Sequence, residues 1–159
     1  MIDSGYARTR DTADLLLQAW TDDERRTIDR RTNDLLRERD AGDAVNMTEA
    51  EAAAAFPWLQ QYWQETGRFR ATPPGGESLA DVAERARAFL DSEWSALANR
   101  RVLLVTHVGT GQMLRLHLEG WSPDEVDERL SASPIGNCGV VAYDFEPDGT
   151  ARPIATVDG

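Results

Sequence analysis

Lysine is absent from this chain, and all 17 basic residues are arginine. Cysteine is nearly absent, with Cys138 alone. One cysteine excludes an internal disulfide and any zinc site of paired cysteines. A reducing cytoplasm is therefore the expected compartment. Histidine is scarce, so only His107 and His117 are available for imidazole chemistry. Apolar runs such as 102–105 are a few residues long, where a membrane helix needs about 20. The opening residues Met1-Ile2-Asp3-Ser4-Gly5-Tyr6 hold no basic patch and no apolar stretch, so no secretory leader is expected. Acidic residues outnumber basic ones 28 to 17, giving a net charge of −11. That field disfavours nucleic acid and anionic membranes as partners. It leaves room for phosphate or a small phosphorylated molecule, because a local arginine fork binds phosphate oxygens bidentately.

What is present is a globular composition, with 41% hydrophobic residues over 159 positions. One domain spanning 1–159 is expected. Ser4 is placed to cap a helix over 5–20, with Ala13, Leu16, Leu17 and Trp20 as its apolar stripe. The charge run 22–31 reads as a solvated face. The stretch 33–40 reads as a short extended piece or loop. Thr48-Glu49-Ala50-Glu51 has capping-box spacing, and its helix should stop near Phe56-Pro57. A second helix is predicted within 58–69. Pro73-Pro74-Gly75-Gly76 breaks the chain. Ser78-x-x-Asp81 then opens the clearest helix, in which Leu79, Val82, Ala86, Phe89, Leu90 and Leu97 follow a 3.6 period and Glu93 falls off type. The run 101–106 is expected to be a strand buried on both faces, followed by a helix over 110–119. Ser122-Pro123-Asp124-Glu125 signals another helix start. Strands over 139–145 and 151–157 should form a hairpin turned at Pro147-Asp148-Gly149. Helices alternating with strands predict an α/β layered domain.

Few residues carry chemistry. His107 closes the buried strand just before a helix, where α/β sheets bind ligands and helix amides attract anions. Packing at a strand end is an equal reading of the same residue. His117, mid-helix, reads as structural. Gly109-Thr110-Gly111 lacks the Lys of a phosphate loop and the third Gly of a dinucleotide fingerprint. The Pro-Gly stretch before Ser78 reads as a plain loop and cap. Cys138, with no activating neighbour, reads as a buried thiol.

Taken together, several segments resemble the histidine phosphatase superfamily, the phosphoglycerate mutase-like enzymes. Ser4-Gly5-Tyr6-Ala7-Arg8-Thr9-Arg10-Asp11-Thr12-Ala13 is similar to its Ser-x-x-x-Arg-Ala-x-x-Thr-Ala segment, with Thr9 in place of Ala. Residues 36–42 resemble its acid-bearing segment. Gly75-Gly76-Glu77-Ser78 with Arg85 resembles its Gly-Glu-Ser helix start. Val105-Thr106-His107 resembles its second catalytic histidine, and residues 137–141 its late strand. The resemblance implies a three-layer α/β/α sandwich of the phosphoglycerate mutase type. It implies a phosphomonoester hydrolase working through a phosphohistidine, with no metal and no cofactor. Arg8 would clamp phosphate, Glu38 would serve as general acid and then base, and His107 would donate to the phosphoryl oxygens. Partial burial of Glu38 would suit the acid role. The family's nucleophile lies in an Arg-His-Gly motif on its first strand, and no Arg-His-Gly occurs in these residues. Val108 also stands where the family has Gly. Two expectations follow: a phosphatase whose nucleophile-bearing segment is missing from this sequence, or an inactive phosphate-binding or protein-interaction domain that keeps the fold.

Overall fold

The computed structural model describes residues 1–132, 135–146 and 148–157. Its first sheet is short and parallel. β1 (Ile2–Asp3) lies between β2 (Arg31–Thr32) and β3 (Leu104–Val105), with Ile2 opposite both Arg31 and Leu104. β4 (Val140–Phe145) and β5 (Ala151–Val157) form a separate antiparallel ribbon, with an irregularity between Ala142 and Tyr143. The Glu146 amide donates to the Thr150 carbonyl at 2.9 Å to close its turn, of which Pro147 lies outside the described residues.

Helices cover the sheet. α1 (Ala7–Gln18) packs on β1 and β3. α2 (Asp22–Arg26) and α3 (Glu49–Ala55) each begin with a reciprocal capping box, from Thr21 with Glu24 and from Thr48 with Glu51. α4 (Leu59–Thr66) follows, and α5 (Leu79–Leu97) starts on the Ser78–Asp81 box. α6 (Val108–Glu119) packs on α5 and reaches β5, and α7 (Val126–Ala132) closes the helical set. The core gathers between α5, α6 and the 3-10 turn Asp34–Leu36, where Phe89, Val82, Ala86, Leu36, Met113 and Val126 are fully buried. The 3.6 period of α5 therefore does what its spacing predicts: it lays one apolar stripe into the core.

Several expectations needed correction. The strand expected over 101–106 is paired only at Leu104–Val105, bonds β1 alone among the described residues, and leaves Val102 37% exposed. It holds an outer place in the described sheet, and Leu103 and Leu104 are only partly buried, so it is not a strand buried on both faces. The stripe expected on α1 is narrower. Thr9 and Ala13 are buried, while Leu16 is 41% exposed. Ser4 does not cap that helix, whose N-cap is Tyr6. The charge run 22–31 is solvated only in part. Arg30 donates to buried Asp3, and Arg31 forms a two-pronged pair with Glu93 on α5. That pair, with Asn33 donating at 3.0 Å, explains why an acid interrupts the apolar stripe of α5. Cys138 is exposed, with a left-handed φ of 60°.

At the far end of α6, Glu119 accepts from Arg115 at 2.9 Å, from the Trp121 indole at 3.1 Å and from the Tyr143 hydroxyl on β4. Burial first, then this carboxylate, pushes the Tyr143 phenol well above its ordinary range. The cluster ties α6 to the β4–β5 ribbon.

Candidate functional site

The site forms where β1 and β3 end side by side. Because the strands are parallel, the segments leaving their carboxyl ends emerge at one edge. From β1 come Ser4 and then α1, which carries Arg8. From β3 come Thr106 and His107, the N-cap of α6. The loop after the 3-10 turn brings Glu38.

Three residues far apart in the sequence meet here. Arg8 reaches His107 Nδ1 through Nε at 3.1 Å and Nη2 at 2.7 Å. Arg8 Nη2 also donates to Glu38 Oε2 at 3.3 Å, and that oxygen lies 3.5 Å from His107 Nδ1. Exposure is graded. The His107 side chain is 2% exposed, Glu38 37% and Arg8 57%, so the imidazole forms a floor beneath two reachable charges. Tyr6 packs edge-on against His107, with ring centres 5.0 Å apart, and the Arg8 guanidinium lies over the Tyr6 ring. Burial lowers the His107 pKa below its ordinary value; the Glu38 carboxylate opposes this, while Arg8 and Arg85 add to it.

The Glu38 loop is held by its carbonyls. Arg85 donates to the carbonyls of Leu35 at 2.7 Å and Arg37 at 3.0 Å. Thr106 takes the Leu36 carbonyl at 2.7 Å, and Thr110 takes the Arg37 carbonyl at 2.6 Å. Arg85 is itself fixed by Glu77, through Nε at 3.2 Å and Nη2 at 3.0 Å. Glu77 also accepts from Arg37 and from the Asp40 amide. The stretch 73–77 is thus more than a loop and cap, because it braces the acid-bearing loop. Gly42 shows how closely the two segments approach. Its φ is +60°, and a Cβ there would sit 2.0 Å from the Pro74 carbonyl oxygen.

Ser4 and Thr9 were not legible as site residues. Ser4 Oγ lies 2.8 Å from His107 Nε2 and 2.9 Å from Thr9 Oγ1. A serine beside a helix start reads as a cap, and nothing local signals a partner 103 residues away. Val108 is accommodated because, as the first residue of α6, it is 47% exposed. His117 is structural, its Nε2 donating to the Ala83 carbonyl at 2.7 Å. Among the described residues, no group of three or more His, Cys, Asp or Glu side chains is placed to share a metal ion, and no helix is long and apolar enough to cross a membrane.

An arginine, a carboxyl and a buried imidazole at the strand ends of an α/β sheet define a site suited to an oxyanion such as phosphate. The sequence profile of the histidine phosphatase superfamily (branch 1) matches residues 1–153, and the chain belongs to that superfamily. It is 32% identical over 154 residues to 2,3-bisphosphoglycerate-dependent phosphoglycerate mutase 2 of Gloeobacter violaceus, covering 92% of this chain and 64% of that protein. It is 35% identical over 98 residues to glucosyl-3-phosphoglycerate phosphatase of Mycolicibacterium vanbaalenii, covering 54% of this chain and 43% of the relative. Among solved structures, a mycobacterial glucosyl-3-phosphoglycerate phosphatase in complex with inorganic phosphate superposes with a TM-score of 0.75 at 25% identity, over 99% of this chain and 75% of that one. Bacillus stearothermophilus YhfR shares the fold with a TM-score of 0.78 at 22% identity, over 96% and 70%. The matched stretches therefore span 64% and 43% of the length of those two curated relatives.

Proposed function

We propose that these residues form the phosphate-binding and acid-bearing part of a phosphomonoester hydrolase that works through a phosphohistidine. The nucleophilic histidine belongs to an Arg-His-Gly segment that this sequence does not contain. The observation that carries the reading is the meeting of Arg8, Glu38 and His107 through contacts of 2.7–3.5 Å.

The division of labour follows from the groups. In the first step the nucleophilic imidazole forms an N–P bond, the P–O bond to the leaving group breaks, and Glu38 gives that oxygen a proton. In the second, Glu38 takes a proton from water as it attacks phosphorus and the N–P bond breaks. Arg8 and His107 hold the phosphoryl oxygens, where charge is carried throughout; positioning and electrostatic stabilisation are most of phosphoryl-transfer catalysis. The relatives' names direct a substrate screen to 3-phosphoglycerate and its glucosyl derivative.

The test compares the 159-residue chain with one extended by a strand ending in Arg-His-Gly. The unextended chain should hydrolyse an aryl phosphate ester at background rate, because removing the nucleophile from residues that act as a unit removes most of the catalysis. The extended chain should turn over, and a chelator should leave that rate unchanged. Family-like turnover by the unextended chain, abolished by His107→Ala, would make His107 the nucleophile and refute the assignment.

A further inference from the structure

The hydrogen bonds around His107 define its tautomer. A guanidinium has donors and no acceptor, so His107 Nδ1, contacted twice by Arg8, presents its lone pair. The ring proton of the neutral imidazole is then on Nε2, and it points at Ser4 Oγ. Ser4, now an acceptor, gives its own proton to Thr9 Oγ1, and Thr9 gives its proton to the Tyr6 carbonyl at 2.9 Å. Ser4 Oγ also accepts from the Tyr6 amide at 3.4 Å, which leaves its one proton for Thr9, and the chain ends on a carbonyl that only accepts. Its direction is therefore fixed from both ends. Ser4 is 1% exposed and Thr9 3%, so water does not compete for these bonds.

We infer that Ser4 and Thr9 are positioning residues that keep the His107 proton on Nε2, so that Nδ1 is the nitrogen that meets a phosphoryl oxygen. The inference rests on the proposed phosphate site for its use, and on the hydrogen bonds for its existence. One consequence is that an oxyanion cannot face a bare lone pair. When phosphate displaces the Arg8 fork from Nδ1, that nitrogen takes up a proton, and the imidazolium then donates to phosphate on one side and to Ser4 on the other. The charged and titratable groups facing His107 are Arg8 on α1, Glu38 on its loop and Arg85 on α5, with the Tyr6 ring packed against it. Of these, Arg8 also donates to the anion, while the Glu38 carboxylate, 3.5 Å from Nδ1, only accepts.

The experiment is nitrogen-15 NMR of the imidazoles in the folded 159-residue chain, with His117→Gln used to assign His107. Without phosphate and above its titration, His107 should show a pyrrole-type Nε2 and a pyridine-type Nδ1. Ser4→Ala should collapse this into averaged tautomers, Thr9→Val should do so partly, and Thr9→Ser should retain the native pattern. With saturating inorganic phosphate, both nitrogens should become protonated at higher pH than in the free chain. A native chain with its proton on Nδ1 would overturn the inference, as would an unchanged pattern in folded Ser4→Ala. The native measurement decides the tautomer even if that variant fails to fold. Phosphate that shifts the Arg8 guanidinium signals but leaves the His107 titration unmoved would overturn the proton uptake. If phosphate shifts nothing, the proposed function fails, while the positioning role stands on the tautomer.

Discussion

Replacing Arg85 with methionine tests whether the acid-bearing loop is held as described. The guanidinium makes two bonds to Glu77 and two to backbone carbonyls, with side-chain exposures of 6% for Arg85 and 15% for Glu77. Burial alone would raise the Glu77 carboxyl's pKa, yet Arg85, the Asp40 amide and Arg37 hold it below its ordinary value. Removing one partner of a buried pair strands the other charge, at a cost of about 3–5 kcal/mol. Glu77 keeps Arg37 and the Asp40 amide, which places Arg85→Met near the lower end, at about 3 kcal/mol. A protein of this size loses about 2–4 °C of Tm per kcal/mol, so the midpoint should fall by about 6–12 °C. Urea titration followed by circular dichroism gives the free energy directly. The double variant Glu77→Gln with Arg85→Met removes the stranded charge, so its cost should be less than the sum of the two single variants. A loss below about 1 kcal/mol for Arg85→Met, or strict additivity in the double variant, would refute the argument.

Phe89→Ala should cost about 3–5 kcal/mol in the same titration, since the ring is fully buried. Gly42→Ala should destabilise the chain and shift the amide signals of residues 73–77, because the new methyl group meets the Pro74 carbonyl. His107 makes stability depend on pH. Its pKa is lower folded than unfolded, so the unfolded chain binds the extra proton first. Stability should therefore be full above about pH 6.5 and fall as pH drops through the window between the two pKa values, and His107→Gln should remove that slope. Arg8→Gln should raise the His107 titration midpoint and Glu38→Gln should lower it, read by proton NMR of the ring.

Local signals were read well wherever the structure is local. The boxes at Thr48 and Ser78, the stop before Pro57 and the period of α5 all depend on residues within a few positions of one another. The strand at 104–105 was found by its apolar run, but its place in the sheet depends on partners that no run specifies. The site shows the same divide. His107 was a candidate from its place at a strand end, whereas Arg8 and Glu38 became visible only through the family resemblance. Ser4, Thr9, Thr106 and Thr110 carry no such signal, because a hydroxyl looks alike in a cap, on a surface, beside a buried imidazole or on a loop carbonyl. Glu93 was off type by pattern and correct by pairing, since Arg31 lies 62 residues away.

α6 is anchored at both ends, and that sets its motion. Its N-cap is His107, its far end is clasped by the Glu119 cluster, and residues 112–116 between them are buried. Twelve residues make a rod of about 18 Å. A rod pinned at both ends and sheathed in core cannot fray one turn at a time. Its central amides should exchange with deuterium only when the whole domain opens, while those of α2, which buries nothing, exchange within its own fluctuations. Loosening Tyr143 on the ribbon would then be felt as faster exchange at the opposite end, beside the imidazole.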